Sequence, residues 1–237
     1  STLMNVGNSN KRNNNNRGFR GIGRLGGMSY CDTLIFTTTA ESEAVKTKII
    51  FDCKKLRKLL VPGEYEDLSL SAVLSEITSV ETLPEKKEKH YFIVEMIDVT
   101  GSSDLLNIDV AKSYITQVAP LPYQSRQFLY LTQLKKYLSE NEYEIEEFPI
   151  FVGEDEIDLE PVYKPNKSRF RSNRNKKTVD EITSMSYFDI VIDDELYALG
   201  WYGNCGWNGF LSERELSGLR VRKGNILIGD SKTMNNI

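Results

Sequence analysis

The residues best suited to chemistry stand at the start of the chain. Gly7-Asn8-Ser9-Asn10-Lys11 leads into a polar run to Arg17, then Gly18-Phe19-Arg20-Gly21-Ile22-Gly23-Arg24-Leu25-Gly26-Gly27, ending at Asp32. Six glycines fall within these 26 residues, beside Lys11, Arg12, Arg17, Arg20 and Arg24. Backbone without a Cβ can turn its N–H groups onto an anion while the cations screen the charge. The chemistry implied is phosphate binding. Gly21-x-Gly23-x-x-Gly26 also has the form of a dinucleotide fingerprint, but that motif follows directly on a buried strand, and here Asn, Arg and Lys precede it. A glycine-rich surface loop with no ligand is the plainer alternative.

Other chemistry finds little support. The single histidine, His90, lies in an apolar strand pattern and reads as packing, so no Ser-His-Asp set can be assembled around it. Cys31, Cys53 and Cys205 are odd in number and widely spaced, which fits reduced thiols better than a disulfide framework and offers no zinc spacing. Trp201 and Trp207 read as core packing beneath a glycine-rich hairpin, with partner-binding anchors as the alternative.

The elements that must position the glycine-rich segment follow it. Thr33–Ala40 and Val45–Asp52, rich in Thr, Ile, Val and Phe, read as a hairpin. Residues 53–60 read as a helix closed by Pro62-Gly63, whereas Leu68–Val80 is too irregular to assign. His90–Val99 is nearly continuous in apolar residues, which predicts a central strand. Asn107 or Asp109 caps a helix to Val118, and Pro120-x-Pro122 closes it, placing a domain boundary near residues 117–123. Ser125–Asn141 is an amphipathic helix, with strands expected at 145–152, 155–163, 184–193, 195–202 and 219–229.

The glycine-rich string as a whole resembles the nucleotide lid of the GHKL ATPase superfamily, to which the ninety-kilodalton heat-shock chaperones, gyrase, MutL and the MORC ATPases belong. The matching pieces are Gly7-Asn8-Ser9-Asn10-Lys11, the polar run 12–20, and Ile22-Gly23-Arg24-Leu25-Gly26 through Asp32. The helix and strands of the second half resemble the transducer domain, whose closing strand finds a counterpart in Gly218-Leu219-Arg220-Val221-Arg222-Lys223-Gly224-Asn225-Ile226. The resemblance implies an α+β chain. Residues 1–117 would be the C-terminal part of a Bergerat-type ATP-binding lobe, a mixed sheet with helices on one face, and 118–237 a transducer-like α/β domain. It implies ATP with magnesium, held by Lys11, Gly21, Gly23, Arg24, Gly26 and Gly27, with Arg222 and Lys223 as candidate sensors of the terminal phosphate. The superfamily's Asp-x-Gly-x-Gly adenine turn is absent, as is the upstream helix with its Glu base and magnesium-binding Asn. In this light the chain reads as an inactive fragment of a magnesium-dependent ATPase, acting in a homodimer on a client protein or DNA.

At 237 residues, 40% apolar and 27% charged, the composition is that of an ordinary globular protein. A net charge of −4 implies no polyanionic partner for the molecule as a whole. No apolar run approaches a bilayer span and no signal-peptide core opens the chain, so a cytoplasmic location without membrane contact is expected. Residues 140–160 hold ten acids and no Lys or Arg, and 164–177 hold seven basic residues and no acid. Such blocks are expected to screen one another or stay solvated. The competing function is a non-enzymatic nucleic-acid or protein-binding module working through the Lys164–Lys177 loop.

Overall fold

A computed structural model describes residues 23–63, 68–101, 103–171, 179–206 and 218–229. The chain divides into two compact units, Ser1–Leu106 and Asn107–Ile237. The division falls ahead of the helix at Ile108–Val118, which belongs to the second unit; the boundary expected from sequence lay behind that helix.

In the first unit, β1 (Cys31–Thr39) and β2 (Val45–Asp52) form the expected hairpin, with Leu34 opposite Phe51 and Phe36 opposite Ile49. All four side chains are buried, and the Phe36 and Phe51 rings meet edge to face at 5.9 Å. Helix α1 (Cys53–Leu59) starts as β2 ends because the Asp52 carboxylate accepts the Lys55 N–H at 2.7 Å. Residues 68–80 resolve into helix α2 (Leu70–Ile77), capped by the Ser69 hydroxyl, running directly into β3 (Thr78–Pro84). Leu56 and Leu59 of α1 and Leu74 and Ile77 of α2 pack into one core with the hairpin.

The sheet order is β3-β2-β1-β4, with β4 at Tyr91–Val99, and each described pairing is antiparallel, not the mixed set expected. This overturns the central placement of β4: it has one partner among the described residues, and Phe92, Ile93, Val94 and Ile97 are exposed. His90 precedes the strand and is exposed, so it is no packing residue.

The second unit opens with α3 (Ile108–Val118), whose N-terminal amides of Asp109 and Val110 are accepted by Asn107 Oδ1. Helix α4 (Leu131–Glu140) starts later than expected, because residues 125–130 form turns. Two short pairs follow, β5 (Ile150–Val152) with β6 (Glu160–Val162), and near the C-terminus β10 (Arg222–Lys223) with β11 (Ile226–Leu227). Strand β7 (Arg169–Arg171) joins the long hairpin β8 (Val179–Ile192) and β9 (Glu195–Cys205). The hairpin turns on Asp193 and Asp194, both at positive φ (52° and 63°), the geometry of a two-residue turn that follows strand twist. The described pairings here are again antiparallel, so both units are α+β.

Phe128, fully buried, centres this unit's core. The Tyr123 and Trp201 rings each lie 5.2 Å from it, and Leu134 and Leu138 of α4 close over it. A second organising feature is polar. Backbone carbonyls of residues 117–122 accept N–H groups from far along the chain: Pro120 from Phe148 at 2.9 Å, Pro122 from Lys164 at 3.0 Å, Leu121 from the Asn225 amide at 3.3 Å and Gln117 from the Arg222 guanidinium at 2.9 Å. Burying these carbonyls without partners would cost free energy, so the remote segments are held where the donors are needed.

Candidate functional site

The glycine-rich segment enters the described residues as a single 3₁₀ helix, Gly23–Ser29. Its seat is apolar. Met28 is buried and Leu25 partly so, both against the core of the first unit. The helix ends where the Gly27 carbonyl accepts the Tyr30 N–H at 3.0 Å and the Cys31 S–H at 3.3 Å. Arg57 of α1 then fixes the start of β1: its Nη1 donates to the Cys31 carbonyl at 2.8 Å and its Nη2 pairs with the Asp32 carboxylate.

Within a 3₁₀ helix each amide bonds to the carbonyl three residues back, so Gly26 and Gly27 direct their N–H groups inward along the helix. Of the described helical residues, Gly23 and Arg24 are the ones whose amides have no intrahelical acceptor. The two inner glycines also differ in surroundings. A Cβ on Gly27 would lie 3.2 Å from Leu34 Cδ1, so Gly27 lets the turn sit close on β1; a Cβ on Gly26 would meet nothing within 4 Å. Open space beside Gly26 is the room an anion would need. Lys11 and Gly21 lie outside the described residues, as does the side chain of Arg24.

The other two candidates sit in the second unit on the turn between β10 and β11. Lys223 is exposed. Arg222 is drawn inward, where Nη1 donates to the Asn225 carbonyl and Nη2 to that of Gln117, each at 2.9 Å. Burial lowers its pKa despite the pull of Tyr123.

Sequence reasoning missed a neighbour of Arg222. Lys164 is only 2% exposed, its Nζ has no hydrogen-bond partner, and it lies 5.5 Å from the centre of the Tyr123 ring. Burial pushes its pKa down to about 7, the adjacent Arg222 charge adds to the shift, and Glu147 opposes it. The signal for this placement was Val162. Strand β6 ends at Val162, but the burial of alternate residues continues beyond it to Lys164. A cavity of about 450 Å³ lies beside this cluster, between α4 and the extended segment carrying Tyr143, Ile145 and Glu147.

The charge blocks do not pair with each other among the described ion pairs. Glu160 binds Lys112, Glu147 binds Lys135, Glu140 binds Lys136, and Arg169 binds Glu181. With Lys164 buried and Arg169 engaged, the Lys164–Lys177 block presents fewer free cations than its composition suggests; residues 172–178 lie outside the described set. Trp201 packs on Phe128, as a core residue does, and Trp207 lies outside the described residues.

Among the described residues no group of three His, Cys, Asp or Glu could hold a metal, and no helix is long and apolar enough to cross a membrane. Comparisons with family models, with curated proteins and with solved structures find no match.

Proposed function

We propose that this chain carries the lid side of a GHKL-type ATP-binding lobe joined to a transducer-like domain, within a cytoplasmic, magnesium-dependent ATPase that couples ATP binding and lid closure to conformational change. The observation supporting this most directly is the seating of the 3₁₀ helix Gly23–Ser29. Its apolar side is fixed on the first unit's core, and the space beside Gly26 is open. An anchored turn with free N-terminal amides can present donors to phosphate oxygens without reorganising.

In this reading the Gly23 and Arg24 amides face the phosphates. Gly26 keeps the approach clear, Gly27 allows close packing on Leu34, and the Arg57–Asp32 pair holds the base of the turn. Lys11 and Gly21 join the site by resemblance alone. ATP supplies the phosphoryl bond whose cleavage drives the cycle. Its magnesium is assigned by the resemblance to the Asn of the superfamily's upstream helix. Of the two sensor candidates, Arg222 is committed to two backbone carbonyls, so Lys223 is the one with a side chain free in solvent. A homodimer and a client protein or DNA complete the proposal.

Two measurements test it. Titration calorimetry on residues 1–237 should show no micromolar ATP binding, since the adenine turn and the base are absent from this sequence; tight binding would mean that the lobe is complete without them. In the full ATPase, Gly23→Val should abolish turnover by placing a branched side chain where backbone meets phosphate. Unchanged turnover in that variant would remove the phosphate assignment.

A further inference from the structure

We propose that Cys31 and Cys53 form a reversible redox pair beneath the glycine-rich turn, joined as a disulfide by a peroxide-class oxidant. The inference goes beyond the nucleotide reading and stands without it. Cys31 opens β1 and Cys53 opens α1, and the pairing of Thr33 with Asp52 brings these two ends together. Both residues are 0% exposed, both are free thiols, and both lie in one buried cluster. Each thiol is otherwise tied to backbone: Cys31 Sγ donates to the Gly27 carbonyl at 3.3 Å and Cys53 Sγ to that of Phe51 at 3.6 Å. The Cys31 thiol is thus a direct link between the sheet and the 3₁₀ helix above it.

The two sulfurs are not equivalent. Burial raises both thiols above their ordinary range, and the Arg57 guanidinium pulls both back toward the thiolate. On Cys53, burial and the neighbouring Cys31 push the pKa up to about 11. Cys31 is assigned as the attacking sulfur because the Arg57 guanidinium, which donates to the Cys31 carbonyl at 2.8 Å, stands on its side of the pair and favours the thiolate, the nucleophilic form. Access comes from opening of the seven-residue 3₁₀ helix, whose hydrogen bonds are poorer than those of an α-helix.

The chemistry balances in two steps. The Cys31 thiolate attacks one oxygen of hydrogen peroxide, the O–O bond breaks, and the departing hydroxide leaves as water with the proton that Cys31 gave up. This leaves a sulfenic acid on Cys31. The Cys53 sulfur then displaces its hydroxyl, the S–S bond forms, and that hydroxyl leaves as a second water with the Cys53 proton. Two thiols lose two electrons, and one peroxide is reduced to two waters. The S–H bond to Gly27 disappears with them, so the disulfide removes one of the contacts that hold the turn on β1.

The test uses the full chain with Cys205→Ser, which removes the exposed thiol and its intermolecular reactions. The folded protein is treated with hydrogen peroxide, quenched, alkylated in denaturant and digested. Expected are equal losses of free Cys31 and Cys53, one cross-linked peptide containing both, recovery of both thiols with dithiothreitol, and faster amide exchange over residues 25–30 in the oxidised form. Full alkylation of both cysteines after treatment overturns the proposal, as does a Cys31 sulfinic acid beside a free Cys53. Adding Cys53→Ser should arrest Cys31 at the sulfenic acid, trapped by dimedone. An unlabelled Cys31 in that variant overturns the assignment of the attacking sulfur.

Discussion

Lys164 illustrates how a residue's role follows from what it lacks. An ammonium buried among Tyr123, Arg222 and Glu147 without a hydrogen-bond acceptor is costly to keep charged. In the folded chain it loses its proton near pH 7, against 10.5 for an ordinary lysine. The unfolded chain therefore binds more protons between these values, and stability rises with pH across that window; below about pH 7 both states are protonated and the full cost stands. Lys164→Met should stabilise the second unit by about 1–2 kcal/mol at pH 6. The gain should shrink as pH rises toward 10, a trend that denaturant titrations at several pH values would reveal. A gain independent of pH would mean that packing, not charge, is responsible.

At the level of elements, the α1 cap offers a direct test. Asp52→Ala removes the acceptor for the Lys55 N–H and should lower the first unit's stability by about 1 kcal/mol, measurable in urea. The basic segment gives a second. Replacing Lys167, Arg169, Arg171 and Arg174 by Ser should leave ATP turnover of the full ATPase unchanged, whereas a binding module would lose salt-dependent association with DNA or RNA. An ATPase-inactive parent whose nucleic-acid binding is lost in this variant would favour the competing function.

How far the elements could be read from sequence depended on how local their causes were. The β1–β2 hairpin and a cap at Asn107, one of two candidates there, were legible, because side-chain alternation and capping chemistry lie within a few residues. Helix α2 was hidden by Ser71 and Ser75 spaced among its apolar residues, although Leu70, Val73, Leu74 and Ile77 fall at helical spacing. Strand β4 looked central because it is apolar on both faces, yet its place is decided by which strands pair with it, and that is not local. Lys164 was misjudged for the opposite reason: a run of charges outweighed the two-residue alternation from Val162. Of the candidate site, the glycine spacing was visible, whereas the engagement of the Gly26 and Gly27 amides depends on the helix type.

For the whole molecule, the two units predict separable behaviour. Each has its own buried cluster, Leu34, Phe36, Ile49 and Phe51 in the first and Phe128, Leu134 and Leu138 in the second. Scanning calorimetry should resolve two transitions, and Leu34→Ala, costing about 2–5 kcal/mol, should move only one of them. A single transition shifted as a whole would show that the units melt together.

The carbonyls of residues 117–122 make a demand on the timing of synthesis. Their partners Phe148, Lys164, Arg222 and Asn225 emerge from the ribosome progressively later, the last some hundred positions behind the acceptors they satisfy. The first unit has every strand of its described sheet by Val99 and can settle while translation continues. The second must wait with these acceptors lacking their protein partners until the turn at Lys223–Asn225 arrives, which makes that small hairpin a keystone placed last. A chain stopped after residue 217 should keep the first unit's transition and lose the second's, and this window of waiting is where a chaperone or a protease would find the nascent protein most exposed.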